Sequence, residues 1–420
     1  MLTTIYPRFK NDTRGLMVYE FCKNLAKENF NVKVIVPADP ETKFEHFTKN
    51  VEVKRFYYFF PRKLQRLTYR YGVPTNLRKS LLAKLQVPFF AIAFLFKTLK
   101  EVKDCDVMHA QWTEPGLIAL AVKILTKKPF FITVRKINNK GWLKFINKIV
   151  LSNADHIFFN SSFTKNSALK ITKMKSFSVL YNSLDLSKFK PGLKSNLKKD
   201  LKLNNKKILF AMGLLVEKKG FEYLITAMKD IVKADKNIVL LIAGHGVLES
   251  KLKKLTSKLN LNKNIIFLGN VSADKTPYYF NIADVFVLPS IVDIKGETET
   301  FGVVVIESLA CGTPVVASDV GGVRDAIGNT KFLVPQKNPK EIALEIASKI
   351  QDYIRTLPFK EHSNNPSEMI AEGYINCVGA AALGGGFLSE LGINYLVGNV
   401  PDHSILGLAT SDKRVIWLDM

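Results

Sequence analysis

Acidic residues are the scarce component of this chain. Against 61 Lys and Arg stand only 37 Asp and Glu, so the 420 residues carry a formal charge of +24. Such an imbalance favours anionic partners (nucleotides, phospholipid headgroups or nucleic acid) or simply gives a basic, solvated surface. Cysteine is sparse too. Cys22, Cys105, Cys311 and Cys377 lie far apart with no C-x-x-C, which points away from a disulfide framework or a zinc site and fits a reduced, cytosolic setting. No secretory signal is visible in the opening M-L-T-T-I-Y-P-R-F-K. Long hydrophobic runs are also missing. The most apolar one, Gln86 to Phe96, is too short to span a bilayer. With Lys84, Lys97 and Lys100 around it, that run reads either as a core helix or as an amphipathic segment lying on an anionic membrane.

What is present is 47% hydrophobic residues in regular periodicity, which marks a globular protein long enough for two or three domains. Short apolar runs at Val32–Val36, Val51–Tyr57, Val107–Ala110, Phe130–Val134, His156–Phe159 and Phe177–Tyr181 predict strands. Helical patterns lie between most of them, and Met1–Tyr6 reads as the end of a first strand. The alternation pauses near Ser187–Pro191 and in the basic stretch to Lys207, which predicts a linker. It resumes with strands at Ile208–Met212, Val239–Ala243, Ile265–Leu268, Val285–Leu288, Val315–Ala317 and Phe332–Val334. Strands alternating with helices mean parallel sheets covered on both faces. The expectation is therefore α/β: two Rossmann-like, doubly wound domains facing a cleft, at 1–190 and 191–356, with a short α+β segment at 357–420.

The most informative stretch is Asp293–Pro314, D-I-K-G-E-T-E-T-F-G-V-V-V-I-E-S-L-A-C-G-T-P. Glu299 would lie on the loop entering a short apolar helix, beside its free N–H groups, and Glu307 two turns along it. A helix N-terminus opening from a strand end is an anion site, and Gly302 lets a ligand approach the backbone. Carboxylates beside such a site suit a phosphate-bearing sugar compound. Three other strand-end turns add to it: Gly213–Gly220 with the mobile cation of Lys219, Gly244-His245-Gly246, and Ser318–Val323 with Gly321 and Gly322. Each alone reads equally well as a turn; together, at successive strand ends, they are hard to dismiss.

The order of these motifs resembles the donor domain of retaining glycosyltransferases of family 4, with the GT-B fold. It runs G-x-L-x-x-x-K-G, G-H-G, E-T-F-G-V-V-V-I-E, then A-C-G-T-P-V-V-A-S-D-V-G-G. The first unit is similar through Y-P-R-F-K-N-D-T-R-G, V-M-H-A-Q-W, I-T-V-R, A-D-H-I-F-F-N-S and Y-N-S-L-D-L-S-K-F-K-P, so the resemblance covers about residues 1 to 350. It implies that Glu299 contacts the donor sugar with the N–H groups around Phe301 and Gly302, that Glu307 holds the ribose, and that Lys219 holds the diphosphate. Gly213, Gly244, Gly246, Gly321 and Gly322 would line the donor site; Gly15 and His109 would lie on the acceptor side. The implied activity is transfer of a sugar from a nucleotide-diphosphate sugar to a glycan or lipid-linked acceptor, with retention, no metal and no other cofactor. The setting would be cytoplasmic, peripheral on the inner membrane face, and nucleic acid is not an expected partner. The chain departs from the family at Leu214, where Arg is common, at Arg135-Lys136-Ile137-Asn138, where His-Gly-x-Asp is frequent, and at Asn182-Ser183 in place of Asn-Gly. Arg135 would still carry positive charge among the catalytic groups. His109 has a second reading as a satisfied structural histidine, and Trp112 either stacks on a sugar or packs.

The last fifty residues follow another logic. Cys377 at a helix start, His403 on a strand and Asp419 on the next make a thiol-nucleophile order, and N-C-V-G, L-G-I and W-L-D resemble the transglutaminase-like cysteine hydrolase core. The plainer reading is a buried cysteine and an incidental histidine. Gly384 to Gly386 inside the expected helix weigh against the hydrolase, at roughly 1 kcal/mol each relative to alanine. A third reading of the whole chain is a basic, non-catalytic binding protein that keeps the nucleotide fold.

Overall fold

The structure is a computed structural model that describes residues 1–9, 12, 14–40, 42, 49–68, 73–137, 141–328, 333–355, 394–400, 403–409 and 415–419. The chain divides into two compact units, Met1–Leu180 and Tyr181–Met420.

In the first unit the strands are β1 (Val32–Pro37), β2 (Val51–Phe56), β3 (Met108–Gln111), β4 (Phe130–Val134), β5 (His156–Phe159) and β6 (Phe177–Val179), and every pair is parallel. The expected first strand is reduced to Leu2, which bridges both Ile35 and Ala110 and so joins the β1–β2 pair to β3–β6. Its N–H donates to the His109 carbonyl at 2.8 Å and its own carbonyl accepts from Gln111 N–H at 2.9 Å. From this segment the chain first goes to β1 and β2 on one side, then returns to β3 on the other. The reversal makes a topological switch point between Leu2 and β3, where open α/β sheets leave a crevice beyond the strand ends. One face of the sheet fills the core with Phe130, Ile132, Val134, Ile157 and Phe159, all 0% exposed.

The apolar run Gln86–Phe96 is helical, within Val87–Glu101. Gln86 has near-helical φ and ψ of −78° and −12°, so the short helix Leu81–Leu85 runs almost into it. One face, with Phe90 and Phe94, packs on Phe56 and Tyr58. The opposite face leaves Phe89, Ile92 and Phe96 more than half exposed, as are Leu81 and Leu85 on the short helix before it. The core reading of this run thus holds for one face of the helix, while the other face is exposed.

The second unit holds β7 (Lys207–Met212), β8 (Ile238–Ala243), β9 (Ile265–Gly269), β10 (Val285–Leu288), β11 (Val315–Ser318) and β12 (Leu333–Val334), parallel in the order β12-β11-β10-β7-β8-β9. The chain leaves β7 toward β8 and β9, then returns to place β10 on β7's other side. A second switch point therefore lies between β7 and β10. The expected linker is part of this unit. Tyr181 stacks on Phe301 with ring centroids 5.5 Å apart, Phe189 packs on Phe280, and Asn281 Nδ2 donates to the Lys190 carbonyl at 3.0 Å. The division falls at Leu180/Tyr181 rather than at 190/191 because these aromatics anchor residues 181–190 to the second core. Near the C-terminus, β13 (Asn394–Val400), β14 (His403–Ala409) and β15 (Val415–Asp419) form an antiparallel sheet of their own.

Candidate functional site

The β7–β10 switch point decides which loops meet. After β7 the chain makes a single 3-10 turn, Glu217–Lys219, which Gly220 ends with φ +62°. Lys219 is thereby held at the strand end. After β10 the chain crosses a loop to Glu299 and enters the helix Val303–Ala310, with Gly302 at its N-cap in the left-handed region (φ 93°). Lys219 and Glu299, eighty positions apart in sequence, meet as an ion pair through Nζ and Oε2, with side chains 14% and 16% exposed. Enclosing both charges weakens their screening by water.

The glycines around the pair serve close backbone approach. Gly321 has φ +55°, and a Cβ there would fall 1.9 Å from the Glu299 carbonyl oxygen; the next residue, Gly322, donates its N–H to that oxygen at 3.1 Å. The S-D-V-G-G turn is thus the backstop that fixes the Glu299 backbone. At the neighbouring edge, a Cβ on Gly244 would meet the Gly213 carbonyl oxygen at 1.9 Å, and Leu215 N–H donates to the His245 carbonyl at 2.9 Å. The G-H-G and G-L-L turns are therefore laid directly against one another, and Lys219 Nζ passes close by, 3.6 Å from where a Gly213 Cβ would stand.

Glu307 projects from the second turn of the helix. Burial pushes its carboxyl up to about 7, against the opposing pull of Lys188. Phe301 is buried beneath Tyr181, which leaves its backbone, not its ring, to serve a ligand. The first-turn N–H groups of Val303–Ala310 have no acceptor within the helix. Three buried hydroxyls, Ser290 Oγ, Thr298 Oγ1 and Ser318 Oγ, have no hydrogen-bond partner among the described residues. They sit just past β10, beside Glu299, and at the end of β11. An unpaired buried hydroxyl costs roughly 1–3 kcal/mol, and all three stand at the strand ends or loop that carry the Lys219–Glu299 pair. Ser290 and Thr298 escaped the sequence reading; their only signal was position directly beside the strand end and the carboxylate.

The remaining predicted residues belong to the first unit. Gly15 (φ +68°) opens the helix Leu16–Lys27, and a Cβ there would stand 2.8 Å from Tyr6 Cα. His109 Nε2 is bonded to Thr133 Oγ1 at 2.7 Å, and its ring packs against Phe21 and Phe158. Burial, helped by the N-terminal ammonium and Arg135, lowers its pKa to about 3, so the ring is neutral. These contacts match the structural reading of His109 rather than a role facing an acceptor. Arg135, just past β4, donates through Nη1 to Gln111 Oε1, with its guanidinium carbon 5.7 Å from the centre of the Trp112 ring. Of the tail residues, Cys377 lies outside the described residues. His403 opens β14 and Asp419 ends β15, paired in register with Ile405.

The family model described as Glycosyltransferase Family 4 matches residues 15–188, and that described as Glycosyl transferases group 1 matches residues 194–368. An uncharacterized glycosyltransferase of Methanocaldococcus jannaschii is 33% identical over 204 residues, 47% of this chain and 50% of that protein. A GDP-mannose-dependent alpha-(1-6)-phosphatidylinositol monomannoside mannosyltransferase of Mycobacterium tuberculosis is 27% identical over 209 residues, 48% of this chain and 54% of that protein. The chain spans about half the length of these curated relatives. Among solved structures, HepE of Anabaena in complex with UDP and glucose aligns with a TM-score of 0.65 at 19% identity, over 84% of this chain and 90% of that one.

Proposed function

From the premise that this chain belongs to the group 1, family 4 glycosyltransferases, with their GT-B fold, we propose that it transfers a hexose from a nucleotide-diphosphate sugar to a lipid-linked or polysaccharide acceptor with retention of configuration. The observation that carries the reading is the enclosed Lys219–Glu299 pair at the β7–β10 switch point, beside the N-terminus of Val303–Ala310. On arrival of the donor, Lys219 turns from Glu299 to the diphosphate, and Glu299 is released to accept hydrogen bonds from the sugar hydroxyls. Glu307 accepts from the ribose. The bond from the anomeric carbon to the diphosphate oxygen breaks, the acceptor oxygen bonds to that carbon, and the acceptor proton leaves on the departing phosphate. Charge that develops on the diphosphate is met by Lys219 and by helix N–H groups, which is electrostatic stabilisation of the leaving group. The glycine turns at Gly213, Gly244, Gly246, Gly321 and Gly322 shape this donor side.

The test is consumption of a panel of UDP-, GDP- and dTDP-hexoses by the purified chain, with and without lipid extract. Release of one nucleoside diphosphate is expected; binding of a nucleotide with no donor consumed would instead favour the non-catalytic reading.

The acceptor side is proposed to meet an anionic membrane. No helix among the described residues is long and apolar enough to cross one, but Leu81, Leu85, Phe89, Ile92 and Phe96 form an exposed stripe at helical spacing, with Lys84 and Lys100 exposed on the same elements. Phe60, 86% exposed, stands on the neighbouring loop, next to Phe59, which packs on Phe89. Apolar side chains entering the acyl boundary and lysines at the headgroups make a peripheral anchor. A Phe89→Asp/Phe96→Asp variant is expected to bind vesicles containing 30 mol% phosphatidylglycerol at least about tenfold more weakly in flotation assays. Wild-type partitioning by that variant removes this face.

A further inference from the structure

The first unit carries a charge that no carboxylate among the described residues balances. Arg135 follows β4 at the C-terminal edge of the sheet, one strand from the crevice between Leu2 and β3. Its Nη1 donates to Gln111, the last residue of β3, while its Nε is buried with no partner. No carboxylate pairs with it among the described residues, although Arg8 in the same unit is neutralised by Asp12 at 2.6 Å. Burial pulls its pKa down to about 10, which leaves the guanidinium charged at neutral pH. An enclosed cation without a counter-ion is a standing cost to stability, and the natural compensation is an anion supplied from outside. Trp112 adds a second observation at the same edge. It is not a glycine, yet it holds φ 72° and ψ 165° at the start of the helix Thr113–Thr126, anchored through its N–H to the Thr133 carbonyl at 3.0 Å. Backbone strain of this kind is kept where neighbouring structure forces it, and it clusters at ligand sites. Here it sets the indole beside the guanidinium.

The geometry points to an oxyanion subsite formed by Arg135, Gln111 and Trp112 at the switch point of the first unit, which takes a phosphate or carboxylate group of the acceptor. It deepens the transferase reading by naming an acceptor class, and rests on that reading only for calling the anion's carrier an acceptor. The guanidinium offers its remaining terminal N–H groups and its charge to the oxyanion, the planar geometry that favours Arg over Lys. Gln111 fixes the fork in place, and Trp112 gives the apolar wall that keeps the pair dry.

Calorimetry at constant ionic strength tests this on the full chain. The probes are glycerol 3-phosphate for a phosphate source, glucuronate for a carboxylate source, and glycerol and glucose as neutral controls. Each is titrated with and without saturating UDP and GDP, so that binding in the diphosphate site is separated from binding at Arg135. One oxyanion is expected to bind saturably in the presence of nucleotide, and the stronger probe identifies the source. Arg135→Gln is expected to weaken that binding at least tenfold, Arg135→Lys by less, and Lys136→Gln, which removes an exposed charge one residue away, by under twofold. The same probe should raise the Tm of the wild type but not of Arg135→Gln, whose Tm without probe should match or exceed that of the wild type. Absence of saturable oxyanion binding overturns the proposal. So does an equal loss in Lys136→Gln, or a markedly lower Tm of Arg135→Gln without probe, which would reveal an internal partner. A chain that binds no nucleotide but keeps the Arg135-dependent binding would sink the donor assignment and leave this site standing.

Discussion

Glu299→Ala is expected to lower donor turnover by on the order of 10²- to 10³-fold while nucleoside diphosphate binding holds or tightens. The two halves of that result come from the ion pair. In the unliganded chain Glu299 satisfies Lys219, so the diphosphate must displace a carboxylate to reach the ammonium. Removing Glu299 leaves Lys219 as an enclosed cation with no partner, a state that a diphosphate relieves directly. Turnover falls for a different reason: the sugar loses its charged acceptor, and the anomeric carbon is no longer held against an incoming hydroxyl on the face that the diphosphate leaves. Lys219→Ala should do the reverse, weakening nucleoside diphosphate binding by roughly 10- to 100-fold, since it deletes the cation that meets the phosphates. It also strands Glu299, so a loss of some 3–5 kcal/mol in urea unfolding is expected in that variant, as is usual when one partner of a buried pair goes. Calorimetry with UDP and GDP, set beside product release on the active donor, separates the two. If Glu299→Ala turned over at the wild-type rate, the carboxylate would have no part in holding the sugar.

Much of this site was legible in sequence because its parts are local. Glu299, Gly302 and Glu307 lie within nine residues, and an uninterrupted apolar run such as Val285–Leu288 can only be a strand covered on both faces. The strand ends that carry Gly213, Gly244 and Ser318 were found for the same reason. What the sequence hid depends on distant partners. Nothing near Lys219 announces Glu299, and only the return of β10 to the flank of β7 brings them together. The first strand of the chain shrinks to Leu2 because its pairing is fixed by Ile35 and Ala110, not by its own apolar neighbours. The boundary moved to Leu180/Tyr181 because Tyr181 and Phe189 find their rings, Phe301 and Phe280, in the second unit. The helix Ser162–Leu169 carries little amphipathic signal and is held instead by its cap, Ser161 Oγ accepting from Thr164 N–H at 3.1 Å. Charge balance is the least legible of all: the sequence shows 61 cations, and only the fold shows that Arg135 is enclosed with no carboxylate paired to it among the described residues.

Glu307 turns the donor site into a pH-dependent one. Its folded-state pKa of about 7 stands above the 4.5 of an unperturbed glutamate because burial disfavours the charged form. The sign follows from proton linkage: the folded chain holds this proton more tightly than the unfolded chain does. The group therefore contributes stability fully below about pH 4.5, and that contribution is lost as pH rises through about 7. Glu307→Gln, which keeps the neutral shape, is expected to be more stable than wild type at pH 8 by about 2–3 kcal/mol and nearly equal to it at pH 4.5. Nucleotide binding runs the other way. Ribose hydroxyls donate, so they prefer the ionised carboxylate, and bringing two donors to it offsets the desolvation that raised its pKa. With a pKa near 7 the ionised fraction falls about tenfold between pH 8 and pH 6, and the affinity for a nucleoside diphosphate should fall with it. The phosphates titrate in this range too, so the informative quantity is the difference between wild type and Glu307→Gln, which the phosphates share. Calorimetric titrations of both chains at pH 6, 7 and 8 give it directly. A parallel pH dependence in the two would mean that Glu307 does not bind the ribose as a carboxylate. A steeper dependence in the wild type than in Glu307→Gln would tie nucleotide capture to the ionisation of this one side chain.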